Sequence, residues 1–310
     1  MADVRLPTLL SSSDLVLDRR FEWARESFAM GEATAVSDLL ADVVRFAPRF
    51  APAWFLLAEA REALGDRAGA IDGFREALAA DDQDRQGAAV RLTRLGALPP
   101  VAMPSAYIRS LFDGYAASFE DALVCGLGYR GPELLLSALK RTGMPKSLGS
   151  VLDLGCGTGL AGAAIKPHSC RLTGVDLSPR MLAAARVKGV YDRLAEAECM
   201  TFLREESLAG ARHDLVLAAD VLIYFHELTQ VPRLALPVMA PGALIAFSVE
   251  THDGDGIVLR DTLRYAHSEA HVRHALMQGG LEPLGLDRVS IRTEKGAPVP
   301  CLVVVARAPS

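Results

Sequence analysis

The residues with the clearest chemical potential lie in the segment VLDLGCGTGLAG, residues 151–162. A short apolar run carries Asp153 near its end, and four glycines follow within eight residues: Gly155, Gly157, Gly159 and Gly162. Closely spaced glycines let a backbone turn sharply and approach a ligand with no side chain in the way. The segment therefore predicts a ligand-binding turn between a strand and a helix. A P-loop, a dinucleotide loop and a loop for another ligand are the alternatives.

The residues around the turn favour a ligand without phosphate. A P-loop is excluded because no Gly-Lys-Ser/Thr follows the glycines. The last three glycines spell G-x-G-x-x-G, and Asp176, 19 residues after Gly157, suits the ribose of a nicotinamide dinucleotide. In that fingerprint, however, the first glycine follows the strand directly, whereas here Asp153 and Gly155 come before it. A carboxylate repels pyrophosphate and attracts a ligand with an ammonium and a sulfonium, such as S-adenosylmethionine.

The D-x-G-x-G-x-G order of the turn resembles the first motif of class I S-adenosylmethionine-dependent methyltransferases. The segments LTGVDLSPRML, HDLVLAADVLIYF and MAPGALIAFSVE resemble later motifs of that family in order and spacing. The resemblance implies methyl transfer, with Asp176 on the ribose, Glu198 on the adenine amino group and Asp220 near the methyl donor. The cofactor-binding residues that it implies in this domain are Asp153, Gly155, Cys156, Gly157, Gly159, Asp176, Leu177, Met181, Glu198 and Asp220.

An aromatic segment upstream, YIRSLFDGYAASFED, resembles a segment that precedes the domain in many small-molecule methyltransferases. In those proteins its aromatic rings fold over the cofactor, and the resemblance implies the same for Tyr107, Tyr115 and Phe119, with Phe112 as a further candidate. The spacing also fits one face of a helix, so a stripe that packs into a core is the alternative.

Candidates for acid–base chemistry follow the predicted fourth strand and precede the last helix. A general base is needed only where the acceptor arrives protonated. Tyr224 and His226 follow Asp220 at the end of a strand, where the acceptor should lie. His267 is predicted to lie in the linker before the helix EAHVRHALMQ, for which Ser268 is the predicted N-cap. His267 is the preferred catalytic candidate, and packing or capping is the alternative role for each residue.

The elements that must position these residues alternate along the second half of the chain. Apolar strand-like runs at 151–154, 171–176, 214–219 and 243–249 are separated by helical segments, which predicts a doubly wound α/β fold with a mostly parallel, Rossmann-like sheet. Ligands bind at the carboxyl ends of the strands in such sheets. The final segments predict an antiparallel hairpin that turns at Gly296.

The first part of the chain is rich in Ala, Leu, Arg and Glu and predicts helices over 14–98. Its small and large apolar residues recur with the spacing of a 34-residue tetratricopeptide repeat, as in Ala24 and Ala58 or Gly31 and Gly65. A plain helical bundle is the alternative. Three prolines in 98–105 predict a boundary, with the methyltransferase domain over 105–310. The whole chain resembles bacterial methyltransferases that carry N-terminal tetratricopeptide repeats.

Composition narrows the function classes. A net charge of −5 and a pI near 5.8 argue against a nucleic-acid surface, and no apolar run reaches the length of a membrane span. Five cysteines without a C-x-x-C pair fit neither a disulfide framework nor a zinc knuckle. The start of the chain, MADVRLPTLLSSSDLVLD, does not resemble a signal peptide. We expect a cytoplasmic protein and no metal; His267, His271 and His274, at helical spacing, are read as a solvated face.

Several functions remain compatible with the sequence. The first is a methyltransferase with a small-molecule acceptor, in which the repeats shape the pocket or mediate self-association. The second is a protein methyltransferase whose repeats bind the substrate protein. The third is a non-catalytic scaffold that binds the cofactor and, through the repeats, a partner. A nicotinamide dehydrogenase is the residual interpretation of the glycine spacing.

Overall fold

The computed structural model describes residues 11–310 of the chain. The prediction that no signal peptide opens the chain concerns mainly residues 1–10, which lie outside the described residues. The chain divides into two compact units, of which the first ends at Tyr107 and the second runs from Ile108 to Ser310. No helix among residues 11–310 has the length and apolar character needed to cross a bilayer.

The first unit is built from helices that pack in sequence, each against the next. Their bounds are α1 (Leu15–Ala29), α2 (Ala33–Phe46), α3 (Ala51–Ala63), α4 (Arg67–Ala80) and α5 (Ala88–Arg94). Helix α4 begins and ends 34 residues after α2. Gly31 and Gly65, also 34 residues apart, lie in the turns α1–α2 and α3–α4 with φ of +86° and +80°. The second helices of the two pairs therefore have the same length, and the two turns have the same conformation.

Equivalent positions of the two pairs carry the core of this unit. Ala24 and Ala58 are fully buried, and so are Leu40 and Phe74. A Cβ added at Gly73 would lie 2.9 Å from the Cβ of Ala58, so these small residues let α3 and α4 approach closely. Pairing of amphipathic helices through small residues is what the alternation of Ala and large apolar residues predicts.

The second unit alternates helices and strands. Its elements, with α6 crossing the boundary between the units, are α6 (Ser105–Tyr115), a π-helical turn (Asp121–Gly126), α7 (Gly131–Arg141), β1 (Leu148–Leu154), α8 (Leu160–Ile165), β2 (Ser169–Asp176), α9 (Pro179–Lys188), β3 (Arg193–Glu196), α10 (Cys199–Leu208), β4 (His213–Ala218), a 3₁₀ turn (Leu222–Tyr224), α11 (Gln230–Ala235), β5 (Met239–Thr251), β6 (Ile257–Leu259), β7 (Tyr265–His267), α12 (Glu269–Gln278), β8 (Glu282–Glu294) and β9 (Ala297–Arg307).

One nine-stranded sheet forms the centre of the described part of this unit. Strands β3, β2, β1, β4 and β5 are neighbours in that order and are parallel. Strand β9 runs antiparallel along the free edge of β5, and β8 pairs with β9. The predicted mostly parallel sheet with a terminal hairpin is confirmed. The hairpin turns at Lys295 and Gly296, which both have positive φ.

Helices cover both faces of the sheet. Alternating residues of a strand point to opposite faces, so Val151 of β1 belongs to one apolar layer and Leu152 to the other. Leu135 and Leu139 of α7 pack in the first layer, and helices α10, α11 and α12 supply the second. Because the layers are closed by helices, polar side chains at the strand ends are left to form the site.

The sequence analysis did not predict three short strands. Strand β3 has four residues, none of them buried, and β6 and β7 have three each, so none shows a clear apolar pattern. His267, predicted to lie in a linker, instead ends β7. It pairs with Thr251 because β5 extends beyond the end of β4. Since β9 occupies the other edge at Glu250, β7 lies on the β4 side of β5, above the carboxyl end of β4.

Candidate active site

The glycine turn follows β1 directly and has the backbone conformation that glycine alone adopts easily. Gly155, Gly157 and Gly159 have φ of +62°, +53° and +92°. A Cβ on Gly155 would lie 2.4 Å from the side chain of Val221, whereas a Cβ on Gly157 would meet no atom within 4 Å. The turn therefore packs tightly against Val221 at Gly155. It is open at Gly157, where a ligand could approach the backbone.

Several backbone N–H groups of the turn already donate to protein oxygens. Gly157 donates its N–H to Oδ2 of Asp176 at 2.9 Å. Cys156 donates its N–H to the carbonyl of Val175 at 2.9 Å, and Gly159 donates its N–H to the carbonyl of Cys156 at 2.9 Å. Three N–H groups of the turn are thus already paired. Cys156 itself is buried, and burial raises the pKa of its thiol.

Two carboxylates lie at the ends of β1 and β2. Asp153 is 1% exposed; its Oδ2 accepts a hydrogen bond from the Tyr191 hydroxyl at 2.7 Å. Its Oδ1 is buried without a partner among the residues that the structure describes. Asp176 also accepts the N–H of Ser178, through Oδ1 at 2.8 Å. Burial raises the pKa of both carboxyl groups, that of Asp153 to about 7.

The other residues implied for cofactor binding surround these carboxylates. Ser178 caps α9 and accepts the N–H of Met181 at 3.1 Å, which places Leu177 and Met181 beside Asp176. Glu198 caps α10 and accepts the N–H groups of Met200 and Thr201 at 2.9 and 2.7 Å. Acidic groups therefore lie at or just after the carboxyl ends of β1, β2 and β3, and that of Asp176 contacts the turn directly at Gly157.

Polar contacts join helix α6 to residues at the carboxyl ends of β2 and β3. Asp113 accepts the hydroxyl of Ser178 at 2.5 Å, and Arg109 pairs with Glu196 at 2.7 Å. After α6, Glu120 pairs with Lys188 at the end of α9. No residue of α6 is buried, so its aromatic stripe does not pack into a closed core.

An aromatic group joins α6 and its continuation to the region after β4. The rings of Phe112 and Tyr224 meet edge to face at 5.6 Å, and Phe119 meets Phe112 at 6.1 Å and Tyr115 at 5.9 Å. The structure thus brings together two predicted cofactor residues and one predicted catalytic residue from distant parts of the chain. Tyr107 lies in the first unit, where its ring packs against Gly87, and its predicted role stays a prediction.

A buried ion network, which the sequence analysis missed, lies beside Asp220. Its arginines are Arg260, Arg264 and Arg292, and its carboxylates are Asp220, Glu250 and Glu294. Nη1 of Arg292 contacts the two carboxylate oxygens of Asp220 at 2.7 and 2.6 Å, and Arg292 also pairs with Glu250. Asp220 has φ of +59° and donates its N–H to the Ser248 hydroxyl at 2.8 Å. The segment RVSIRTE, which contains Arg292 and Glu294, was the available sequence signal.

The rings of the two histidine candidates, His226 and His267, contact Tyr265 and His271. His267 is fully buried; its Nε2 is 3.3 Å from the carbonyl of His226, and its ring stacks on His271. Burial lowers the pKa of His267 to about 4. The ring of His226 meets that of Tyr265 edge to face. Ser268 caps α12 as predicted.

Among residues 11–310, no group of three or more His, Cys, Asp or Glu side chains is arranged to hold a metal ion.

The hydrogen-bond acceptors of the site fit the cofactor implied by the sequence. The open space at Gly157 could admit the backbone-facing part of a ligand, and the orphaned Oδ1 of Asp153, on the strand that leads into the turn, is a buried acceptor. Asp176 and Glu198 could accept from hydroxyl and amino groups, since an ionised carboxylate accepts more hydrogen bonds than those recorded. These residues suit a ligand that carries positive charge and several hydrogen-bond donors.

The sheet order, the glycine turn after β1 and the acid after β2 define the second unit as a Rossmann-like α/β methyltransferase fold. Comparison with known proteins agrees with this class. Residues 152–245 match the family model described as a methyltransferase domain, which confirms the predicted methyltransferase domain over that segment.

The chain is similar to several individual proteins. Methyltransferase-like protein 27 of Homo sapiens is 34% identical over 152 residues, which cover 46% of this chain and 58% of the relative. Ubiquinone biosynthesis O-methyltransferase of Bordetella avium is 26% identical over 152 residues, covering 44% of this chain and 63% of the relative. The chain thus spans less than two thirds of the length of these curated relatives.

The fold also matches a solved structure, that of Burkholderia thailandensis 1,6-didemethyltoxoflavin-N1-methyltransferase with bound 1,6-didemethyltoxoflavin and S-adenosylhomocysteine. The TM-score is 0.51 at 22% identity, and the match covers 69% of this chain and 93% of that chain. At this identity, the likeness establishes the fold.

Proposed function

We propose that the protein transfers a methyl group from S-adenosylmethionine to a small-molecule acceptor. The observation that carries the proposal is the internal pairing of the glycine turn. Three of its N–H groups already donate to protein oxygens, one of them to the carboxylate of Asp176, so they are not free for a pyrophosphate. A ligand with ammonium, sulfonium and hydroxyl groups instead needs acceptors and negative charge, which Asp153 and Asp176 supply.

The chain's own residues act by binding, orientation and exclusion of water. When bound, the sulfonium of S-adenosylmethionine supplies an activated methyl group for in-line displacement. Asp153, Asp176 and Glu198 would hold the cofactor, while the aromatic group around Phe112 would cover the transfer site and exclude water. Asp220, fixed by Arg292, would accept a hydrogen bond from the acceptor, with Tyr224 beside it as the predicted acid or base.

The name of the Bordetella avium relative, for ubiquinone biosynthesis, supports a small-molecule acceptor. Transfer to protein is the second candidate, favoured by the helical first unit. Incubation with methyl-labelled cofactor and cell extract separates the two, because label would appear in the small-molecule filtrate in one case and in retained protein in the other. A cytoplasmic location stays a prediction.

The first unit is proposed to be a tetratricopeptide-repeat module of two and a half units. Support comes from the 34-residue offset between α2 and α4 and from the matching turns at Gly31 and Gly65. The module is proposed to bind a partner or a second copy of the chain, since about three repeats are usually needed for an independent solenoid. The domain bounds 14–98 and 105–310 remain part of this proposal.

Ligand binding is the direct test of the proposed function. We expect calorimetry to detect binding of S-adenosylmethionine and S-adenosylhomocysteine and no binding of NAD, because the N–H groups of Cys156, Gly157 and Gly159 already donate to protein oxygens and are not free for a pyrophosphate. Binding of NAD, with neither sulfur compound detected, would contradict the proposal.

Asp176→Ala is expected to weaken the binding of S-adenosylhomocysteine about 10- to 100-fold, since hydrogen bonds to a charged group contribute about 1.5–3 kcal/mol. The substitution removes the acceptor for the N–H groups of Gly157 and Ser178 and the proposed ribose ligand. Asp214→Ala is the matched control: Asp214 also accepts two backbone N–H groups, those of Gly149 and Ser150, at the opposite end of the sheet. Equal losses of affinity in both variants would argue against a binding role for Asp176.

A further inference from the structure

Tyr191, between α9 and β3, inserts its side chain beneath the glycine turn. A Cβ added at Gly159, Gly162 or Gly174 would lie 3.0, 2.2 or 2.8 Å from atoms of the Tyr191 ring or hydroxyl. Three glycines from three elements thus leave room for one side chain.

Two of these glycines are not required by backbone conformation. Gly159 has positive φ, but Gly162 in α8 and Gly174 in β2 do not. Glycine within a helix or strand costs about 0.5–1 kcal/mol relative to alanine. At Gly162 and Gly174 the space that a Cβ would fill is taken in large part by Tyr191. The Tyr191 ring therefore packs against both the turn and β2 and stabilises their positions.

The hydroxyl of Tyr191 fixes the buried carboxylate that precedes the turn. It donates to Oδ2 of Asp153 at 2.7 Å, while Oδ1 is buried with no partner among the described residues. Burial raises the pKa of the Tyr191 hydroxyl, so the group stays a donor at neutral pH. Burial also raises the pKa of Asp153 to about 7, and the hydrogen bond from Tyr191 opposes that rise.

We propose that Tyr191 is a positioning residue for the cofactor site, acting through Asp153 and the glycine turn and not by touching the reacting atoms. It orients the Asp153 carboxylate beneath the turn and favours its ionised form there, where negative charge favours a cationic ligand. The inference rests on the proposed function for the identity of that ligand. The other titratable groups that face Asp153 are Asp176, Cys156, Cys199 and Tyr129.

Tyr191→Phe tests the hydroxyl and leaves the ring in place between the glycines. At pH 7 we expect affinity for S-adenosylhomocysteine to fall about tenfold or more, with a larger loss for S-adenosylmethionine, which carries one more positive charge. In the wild type, affinity should weaken as the pH falls through about 7, the pKa of Asp153. In the variant that decline should begin at a higher pH, because the carboxyl group has lost its donor.

Two further variants make the test specific. Asp192→Asn is the control, since Asp192 is adjacent in sequence but pairs with Lys166 and with the N–H of Leu172. It should leave affinity and pH profile unchanged. Asp153→Asn can keep the hydrogen bond from Tyr191 but loses the charge, so its affinity should be low and should not vary with pH in this range.

The outcomes separate the two proposals. If folded Tyr191→Phe binds both sulfur compounds with the affinity and pH profile of the wild type, Tyr191 is a packing residue and the inference is wrong. The same conclusion follows if Asp153→Asn keeps the wild-type profile. If the wild type binds neither compound, the proposed function itself fails and this inference with it.

Discussion

Replacing Arg292 by Met is expected to lower the free energy of unfolding by about 3–5 kcal/mol, as for other broken buried ion pairs. The guanidinium is 2% exposed and pairs with Asp220, Glu250 and Glu294. Methionine fills much of the same volume but leaves Glu250, which is 1% exposed, with Arg260 and Arg264 as its remaining counterions. An under-compensated buried carboxylate must then stay desolvated or take up a proton, and both reduce stability.

The measurement is urea unfolding at neutral pH, with Arg288→Met as the matched control. Arg288 lies on the same strand, β8, but pairs at the surface with the largely exposed Asp253. A surface pair of this kind contributes about 0–1 kcal/mol. Equal effects of the two substitutions would mean that the network beside Asp220 adds no more than a surface pair. A folded Arg292→Met protein should also show weaker methyl transfer, because Asp220 loses its fixed orientation.

The features that the sequence predicted are those encoded locally. The glycine turn, the Ser268 cap and the hairpin turn at Gly296 each depend on a few neighbouring residues whose types dictate one backbone conformation. The parallel strands were likewise visible because a strand buried on both faces is a continuous apolar run. For such elements, local propensity and the tertiary fold point to the same structure.

The features that the sequence did not reveal depend on pairing over long distances. Arg292 and Asp220 are 72 residues apart, and Tyr191 and Asp153 are 38 residues apart, so no local pattern links either pair. His267 was misplaced for the same reason, since β7 is defined by its pairing with the extension of β5 and with β6. A three-residue strand has too few positions to display a period of two, and its burial follows from the elements that cover it.

We expect a second large effect from His267: its burial lowers the free energy of unfolding in acid. Its pKa is about 4 in the folded protein because burial disfavours the imidazolium, against 6.5 in an unfolded chain. Above pH 6.5 the imidazole is neutral in both states. As the pH falls from 6.5 towards 4, the unfolded state takes up the proton first, so the free energy of unfolding decreases. A shift of this size corresponds to about 3 kcal/mol in all.

The wild-type curve alone does not isolate this effect, because Asp153 acts in the opposite direction. Its pKa is raised to about 7, so the folded state binds a proton that the unfolded state releases, and stability increases as the pH falls over the same range. The difference between the wild type and His267→Gln cancels this contribution. We expect that difference in unfolding free energy to shift by about 3 kcal/mol in favour of the variant between pH 7 and pH 4.

His274→Gln is the control for this prediction, since it removes an exposed imidazole from α12 and so tests histidine loss without burial. A wild-type-to-variant difference that stays constant from pH 7 to pH 4, or that changes equally for both substitutions, would contradict burial as the cause. The same His267→Gln protein tests the predicted catalytic role. Because the imidazole of His267 is fully buried, we expect kcat and KM at pH 7 to be unchanged, whereas a large loss of kcat in the folded variant would support the predicted catalytic role.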